Sequence, residues 1–84
     1  MIKIFEDMFY KGKRLIMTWH FYQEWEMLNK PLEFVLHILK HGEHRLVSKR
    51  QQKFNCLFPW RGKFLCLSYV EEDAFILIHI KPRK

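Results

Sequence analysis

QKFNCLFPWRGKFLCLSYVEEDAFILIHIK, residues 52–81, carries the strongest structural pattern in the chain. It contains three runs rich in β-branched and aromatic residues, and the side chains of each run alternate in polarity as they do along a strand. Arg61-Gly62 separates the first two runs, and Glu71-Glu72-Asp73 separates the last two. Short breaks of this kind between alternating runs predict a three-stranded antiparallel meander.

The residues before the meander predict two short helices. Phe21, Trp25 and Leu28 recur at the i, i+4 and i+7 spacing that places side chains on one helix face. This spacing predicts a first helix over residues 19–29. The Thr18 hydroxyl is the expected N-cap of that helix, because it can accept a hydrogen bond from a free amide of the first turn.

A second helix and a further strand are predicted between this helix and the meander. Pro31 fits the first position of a helix, and Gly42 fits its left-handed C-terminal cap. Four apolar side chains share a face of this helix: Leu32, Val35, Leu36 and Leu39. Residues 44–49, HRLVSK, then predict a strand. Residues 1–9 and residues 15–17 could each form a strand or lead irregularly into the helix.

These elements predict an α+β fold in which two short helices pack on one face of a three- to four-stranded antiparallel sheet. The 84 residues allow a single domain, residues 1–84. The sequence shows neither a signal peptide nor an apolar run long enough to span a bilayer, so a soluble cytoplasmic protein without membrane contact is expected. No cofactor is predicted.

The turns set the register of the meander and therefore its two faces. With Arg61-Gly62 as a two-residue turn, Cys56 lies opposite Leu67, whereas a three-residue turn would place Cys56 opposite Cys66. The first register separates apolar from polar side chains better, and it points the two cysteines to opposite faces as free thiols. With Glu72-Asp73 as the next turn, the face under the helices carries Leu65, Leu67, Tyr69, Ile76, Ile78 and Ile80.

The other face of the meander is predicted to be open, because two helices can cover only one face of a small sheet. It carries polar and basic groups among apolar ones: Lys53, Asn55, Ser68, His79 and Lys81, with Leu57, Phe64, Cys66, Phe75 and Leu77. An exposed mixed surface of this kind indicates a partner. The formal net charge of +6 favours nucleic acid, acidic membranes or acidic proteins as that partner.

The chain also shows an ordered series of features: a strand that runs into Thr18-Trp19-His20, two helices, a basic strand HRLVSKR, and a meander that ends in ILIHIKPRK. Over roughly residues 14–82 this order resembles the small toxin-like domains of the RelE/BrnT superfamily, in particular an uncharacterised branch with a T-x-H helix motif. The resemblance implies a ribonuclease toxin that binds RNA or ribosomes through its open sheet face and is held by an antitoxin. His20 matches the family histidine, but Glu24 and Trp25 stand where the family pattern has an arginine.

Three residues are candidates for catalysis: His79, Lys81 and His20. An imidazole can take up or release a proton near neutral pH, which suits acid–base cleavage of RNA. Six residues are predicted to contact phosphates: Arg45, Lys49, Arg50, Lys53, Arg61 and Arg83. Trp60 or Tyr69 could stack on bases.

The five histidines raise the question of a metal site: His20, His37, His41, His44 and His79. His37 and His41 share a helix face by their i, i+4 spacing, but no third ligand follows at a diagnostic spacing, so no metal site is predicted. The alternative to an RNA-binding function is a non-enzymatic interaction protein, whose open face forms a homodimer or receives a protein partner.

Overall fold

The computed structural model describes residues 3–83, with residues 3–7 described by their backbone alone. The elements in chain order are β1 Lys3–Tyr10, β2 Lys13–Thr18, α1 Trp19–Glu26, α2 Phe34–His41, β3 Glu43–Ser48, β4 Lys53–Trp60, β5 Lys63–Glu71 and β6 Phe75–Arg83. The α+β class is confirmed. The predicted sheet of three to four antiparallel strands is wrong, because the described sheet has six strands and is mixed.

The two additional strands form a hairpin at the start of the chain. Between Tyr10 and Lys13 the chain turns through Lys11 and Gly12, whose φ angles are 53° and 78°, as a two-residue hairpin turn requires. The strand order is β1-β2-β6-β5-β4-β3, and within the described sheet only the contact between β2 and β6 is parallel. The hairpin therefore extends the meander on the side of its last strand. Residues 1–2, which belong to the first predicted strand, lie outside the described residues.

The first turn of the meander has the predicted register. Arg61 and Gly62 form a two-residue turn with φ angles of 49° and 76°, and Cys56 lies opposite Leu67. Neighbouring side chains alternate between faces, so Cys56 and Cys66 point away from each other. Both cysteines are buried free thiols.

The second turn of the meander differs from the prediction. Residues 72–74 form the connection, one residue longer than predicted, so Tyr69 lies opposite Leu77 instead of Ile76. A shift of one residue moves every side chain of a strand to the other face. Phe75 and Leu77, expected on the open face, are consequently buried, whereas Ile76 and Ile78 lie outside the core.

A β-bulge in β6 then restores the original alternation. Leu67 lies opposite Ile80 and Ser68 opposite His79, while Tyr69 pairs with Leu77, so Ile78 is the extra residue. Beyond the bulge, His79 and Lys81 point to the open face, as predicted, and Ile80 is buried.

The helices are shorter than predicted, and their ends differ. The Thr18 side chain accepts a hydrogen bond from the Phe21 amide at 3.1 Å, which confirms it as the N-cap of α1. Pro31 is not the first residue of α2, because residues 31–33 form a turn and the helix begins at Phe34. Gly42 is not left-handed: its φ and ψ are −78° and 167°.

The core lies between the helices and one face of the sheet. Its fully buried side chains include Leu15 and Met17 from β2, Phe21 from α1, Ile38 from α2 and Leu67 from β5. The opposite side of strands β3 to β6 has no helix across it among residues 3–83. No helix in this part of the chain is long and apolar enough to cross a membrane.

Candidate functional site

Helix α1 lies along the part of β6 that has no strand neighbour on that side among residues 3–83. The parallel contact of β2 with β6 ends at the pair Met17 and Leu77, where β2 gives way to α1. At this point the Thr18 hydroxyl donates to the Leu77 carbonyl at 3.2 Å while it caps the helix. The first two turns of α1 are thereby held against β6 immediately next to the bulge.

Glu24 is the centre of a cluster at this boundary. Its Oε1 atom accepts a hydrogen bond from the Ile80 amide at 3.0 Å, which satisfies a backbone donor at the strand edge. Three basic side chains surround the same carboxylate. His20 Nε2 and Lys81 Nζ each lie 3.5 Å from Oε2, and His79 Nδ1 lies 3.5 Å from Oε1. We call His20, Glu24, His79 and Lys81 the rim cluster.

The rim cluster combines a fixed acid with accessible basic groups. The side chain of Glu24 is only 15% exposed, whereas that of Lys81 is 64% exposed. The rings of His20 and His79 meet edge to face, with their centroids 4.6 Å apart. His79 Nδ1 is hidden from solvent and has no hydrogen-bond partner among the described residues. The arrangement can donate a proton, accept a proton and neutralise an anion within one small area.

The open face of the sheet leads to this cluster. Register places Arg45, Asn55, Ser68 and His79 side by side on β3, β4, β5 and β6. Within this row the Ser68 hydroxyl donates to Asn55 Oδ1 at 2.7 Å. A shallow groove of about 320 Å³ covers the end of the row, and it is lined by Asn55, Cys66, Ser68, His79, Lys81, Pro82 and Arg83.

A second groove adjoins the first on the same face. It has a volume of about 510 Å³, and its lining residues are His41, Glu43, Arg45, Leu57, Pro59, Phe64 and Arg83. Arg83 lines both grooves, so the two lie next to each other on the face formed by β3 to β6. Phe64 is 45% exposed and offers an aromatic ring to this surface.

The predicted phosphate-binding residues do not all lie together. Arg45, Lys53 and Arg83 project to the open face with Lys81. Lys49 and Arg50 lie in the turn between β3 and β4. Arg61 instead stacks on Trp60 at 5.0 Å, and Trp60 contacts Phe34 of α2, so this arginine lies towards the helices.

The two aromatic residues predicted to stack on bases are also elsewhere. Trp60 packs against the helix-covered core, and Tyr69 is 4% exposed. Burial, with a smaller contribution from nearby Cys56, raises the pKa of Tyr69. Phe64 is the aromatic side chain that the open face offers, and its place opposite Arg83 follows from the pairing of β5 with β6.

The sequence prediction named His20, His79 and Lys81 as separate candidates and omitted Glu24, around which the structure places all three. The contact of Glu24 with His20 could have been predicted from the sequence, because residues four apart share a helix face. The contact of Glu24 with His79 could not, since it depends on the path of α1 along β6 and on the bulge.

No protein-family model, curated protein or solved structure matches the chain. The resemblance to the RelE/BrnT superfamily therefore stays a prediction.

Proposed function

We propose that this protein binds single-stranded RNA across its open sheet face and cleaves it at the rim cluster. The observation that carries the proposal is the row from Arg45 to His79, which crosses four strands and ends at two histidines and a lysine. The proposed RNA-binding surface thus ends at the rim cluster, whose side chains can donate or accept a proton.

The binding step is supported by charge and by dimensions. Strands lie about 4.8 Å apart, so Arg45 and His79 are separated by roughly 14 Å across the sheet. Arg45, Lys81 and Arg83 would contact phosphates, and Asn55 and Ser68 offer polar groups between them. Phe64 provides a stacking surface for a base. The net charge of +6 would draw the polyanion to the protein.

The cleavage step follows from the chemistry of the rim cluster. His79 would take the proton of a ribose 2′-hydroxyl, whose oxygen then attacks the adjacent phosphorus. The P–O5′ bond breaks, His20 gives a proton to the leaving 5′-oxygen, and a 2′,3′-cyclic phosphate results. Lys81 would stabilise the additional negative charge on the phosphate oxygens. Glu24 would act as a positioning residue that holds all three basic groups.

The test compares the His79→Ala/Lys81→Ala variant with a matched control, His37→Ala/Lys40→Ala, which removes the same two residue types from α2. Binding of a fluorescent single-stranded RNA is followed by anisotropy over a salt series, and cleavage is followed by gel in the presence of EDTA. We expect the first variant to lose cleavage by about 10²- to 10⁴-fold. We also expect the slope of its log RNA affinity against log salt concentration to become shallower by about one phosphate contact.

The outcomes separate the two parts of the proposal. Equal cleavage by both variants would show that the rim cluster is not the site. If the unmodified protein does not bind RNA even at low salt, RNA binding itself is wrong, because a basic face must bind a polyanion most strongly there.

A specific observation favours the alternative function, a non-enzymatic interaction with a protein partner or a second copy, at the sheet edge that borders the open face. Leu46 and Val47 are 54% and 52% exposed on β3, one of the two edge strands of the described sheet. An exposed apolar edge strand can pair with another chain. Sedimentation velocity over a concentration series tests self-association, and a constant monomer mass would eliminate the homodimer.

A further inference from the structure

We infer that His20, Glu24 and His79 form a binding site for one Zn²⁺ ion. Each residue offers one ligand atom, and the three atoms lie within 4.8 Å of one another. Among the described residues this is the one group of three or more histidine, cysteine and acidic side chains that meets so closely. The inference concerns metal binding itself and stands whether or not the protein cleaves RNA.

The ligand spacings are near those of a tetrahedral site. With zinc–ligand bonds of 2.0 to 2.1 Å, neighbouring ligand atoms of a tetrahedron lie about 3.4 Å apart. His20 Nε2 lies 3.5 Å from Glu24 Oε2 and His79 Nδ1 lies 3.5 Å from Glu24 Oε1, so each histidine is at this spacing from one of the two carboxylate oxygens. Two nitrogens and a carboxylate are a set of ligands that zinc accepts, and three protein ligands leave the fourth position for water.

The surroundings hold these ligands in place. His20 and Glu24 occupy positions i and i+4 of α1, so the helix fixes their separation. The Ile80 amide donates to Glu24 Oε1 and orients the carboxylate, as groups around metal sites commonly do. His79 Nδ1 is a buried atom with no hydrogen-bond partner in the part of the chain that the structure describes, and a metal ion would give it a partner.

Lys81 opposes metal binding in this arrangement. Its ammonium lies 3.5 Å from Glu24 Oε2, where it neutralises the carboxylate that zinc would need. Because the Lys81 side chain is 64% exposed, it can turn away into solvent when a cation enters. Lysine therefore competes with zinc, and its removal should strengthen the site. This effect is opposite to the loss of RNA binding expected for the same change.

Two other histidine sites are weaker candidates. His37 and His41 have ring centroids 4.5 Å apart, but no third ligand joins them among the side chains of residues 8–83. His44 Nε2 lies 3.6 Å from Cys56 Sγ, but burial, aided by nearby Cys66, raises the pKa of that thiol to about 12. A protonated thiol is a poor zinc ligand. His37 and His41 supply the control variant.

Zinc would also regulate the proposed function, a consequence that rests on that function. The ion would occupy the nitrogen atoms of His20 and His79 that face Glu24. An imidazole that holds zinc through one nitrogen keeps its hydrogen on the other nitrogen, so neither ring could then act as the base or the acid of the cleavage step. Cleavage should therefore stop at zinc concentrations that fill the site and return after EDTA is added.

The test titrates metal-stripped protein with ZnCl₂ by calorimetry and with Co²⁺ by visible absorption, which reports tetrahedral coordination. The variants are Glu24→Gln, His79→Ala and Lys81→Gln, with His37→Ala/His41→Ala as the matched histidine control. Far-ultraviolet circular dichroism checks that each is folded. Should Glu24→Gln fail to fold, His20→Ala replaces it, because this side chain is largely exposed.

The expected result is one zinc ion per chain. Its affinity should fall at least about tenfold in Glu24→Gln and His79→Ala, stay unchanged in His37→Ala/His41→Ala, and rise in Lys81→Gln. The inference is overturned if zinc does not bind saturably, if binding survives loss of Glu24 or His79, or if it depends on His37 and His41. RNA binding that fails while zinc binds would refute the proposed function alone.

Discussion

Gly42 shows how a single residue can be required for a reason different from the one its position indicates. After a helix, glycine commonly adopts a positive φ, yet Gly42 has the ordinary value of −78°. A Cβ atom on Gly42 would lie 2.4 Å from Cys56 Sγ and 2.8 Å from the Ile38 carbonyl oxygen. Position 42 therefore requires glycine because a side chain would not fit between α2 and β4.

We expect Gly42→Ala to lower the free energy of unfolding by about 1 to 3 kcal/mol, because the added methyl group overlaps backbone atoms. Gly62 is the comparison, since a Cβ there meets nothing within 4 Å but φ is +76°. Gly62→Asn should be nearly neutral, because asparagine tolerates that conformation, whereas Gly42→Asn should destabilise at least as much as Gly42→Ala. Urea denaturation measures all three, and equal values for the two asparagine variants would contradict this account.

His44 is a residue whose role the sequence could not reveal. In the structure, its Nε2 atom donates to the Leu39 carbonyl at 2.7 Å, so Nδ1 is free to accept from the Tyr69 hydroxyl at 2.8 Å. These bonds join β3 to the end of α2 and to β5. The partners are separated by 5 and 25 residues, and only the folded chain brings them together.

At the scale of elements, local patterns predicted the strands of the meander and the order of helices and strands. Alternation identified β4 and β5, and Arg61-Gly62 fixed their register correctly. The length of the next loop was not predictable, because Glu72-Asp73 alone and residues 72–74 are both acceptable turns. The bulge in β6 could not be predicted either, since an unbroken apolar run gives no sign of an inserted residue.

The junction of β2, α1 and β6 depends on Thr18. We expect Thr18→Val to lower the free energy of unfolding by about 1 to 2 kcal/mol, because it removes both the helix cap and the bond to the Leu77 carbonyl. Thr18→Ser keeps the hydroxyl and should recover most of the loss. Thermal unfolding of the three proteins tests this, and a serine variant as unstable as the valine variant would show that the methyl group matters instead.

At the scale of the molecule, the buried acidic groups predict a loss of stability in alkali. Burial raises the pKa of Cys56 from 9.0 to about 12 and also raises that of Tyr69. Below about pH 9 the folded and unfolded chains both keep the thiol proton, so stability is unaffected there. As the pH rises further, the unfolded chain releases protons that the folded chain retains. The free energy of unfolding then falls by up to about 1.4 kcal/mol per pH unit for each group.

Urea unfolding at about pH 7.5, 9 and 10 measures this loss. Cys56→Ala removes one of the two groups and should therefore lose less stability over the same range, whatever its stability at neutral pH. The same loss in Cys56→Ala and in the unmodified protein would show that this thiol is not responsible.

The parallel contact between β2 and β6 determines when the chain can fold during its synthesis. Leu15, Ile16 and Met17 pair with Phe75, Ile76 and Leu77, about sixty positions later. A ribosome releases residues in order, so the amino-terminal hairpin emerges long before the strand that joins it to the rest of the sheet. Contacts between such distant positions slow folding, because a large loop must close first. The nascent chain must therefore keep the apolar side of this hairpin out of unwanted associations until β6 has left the exit tunnel.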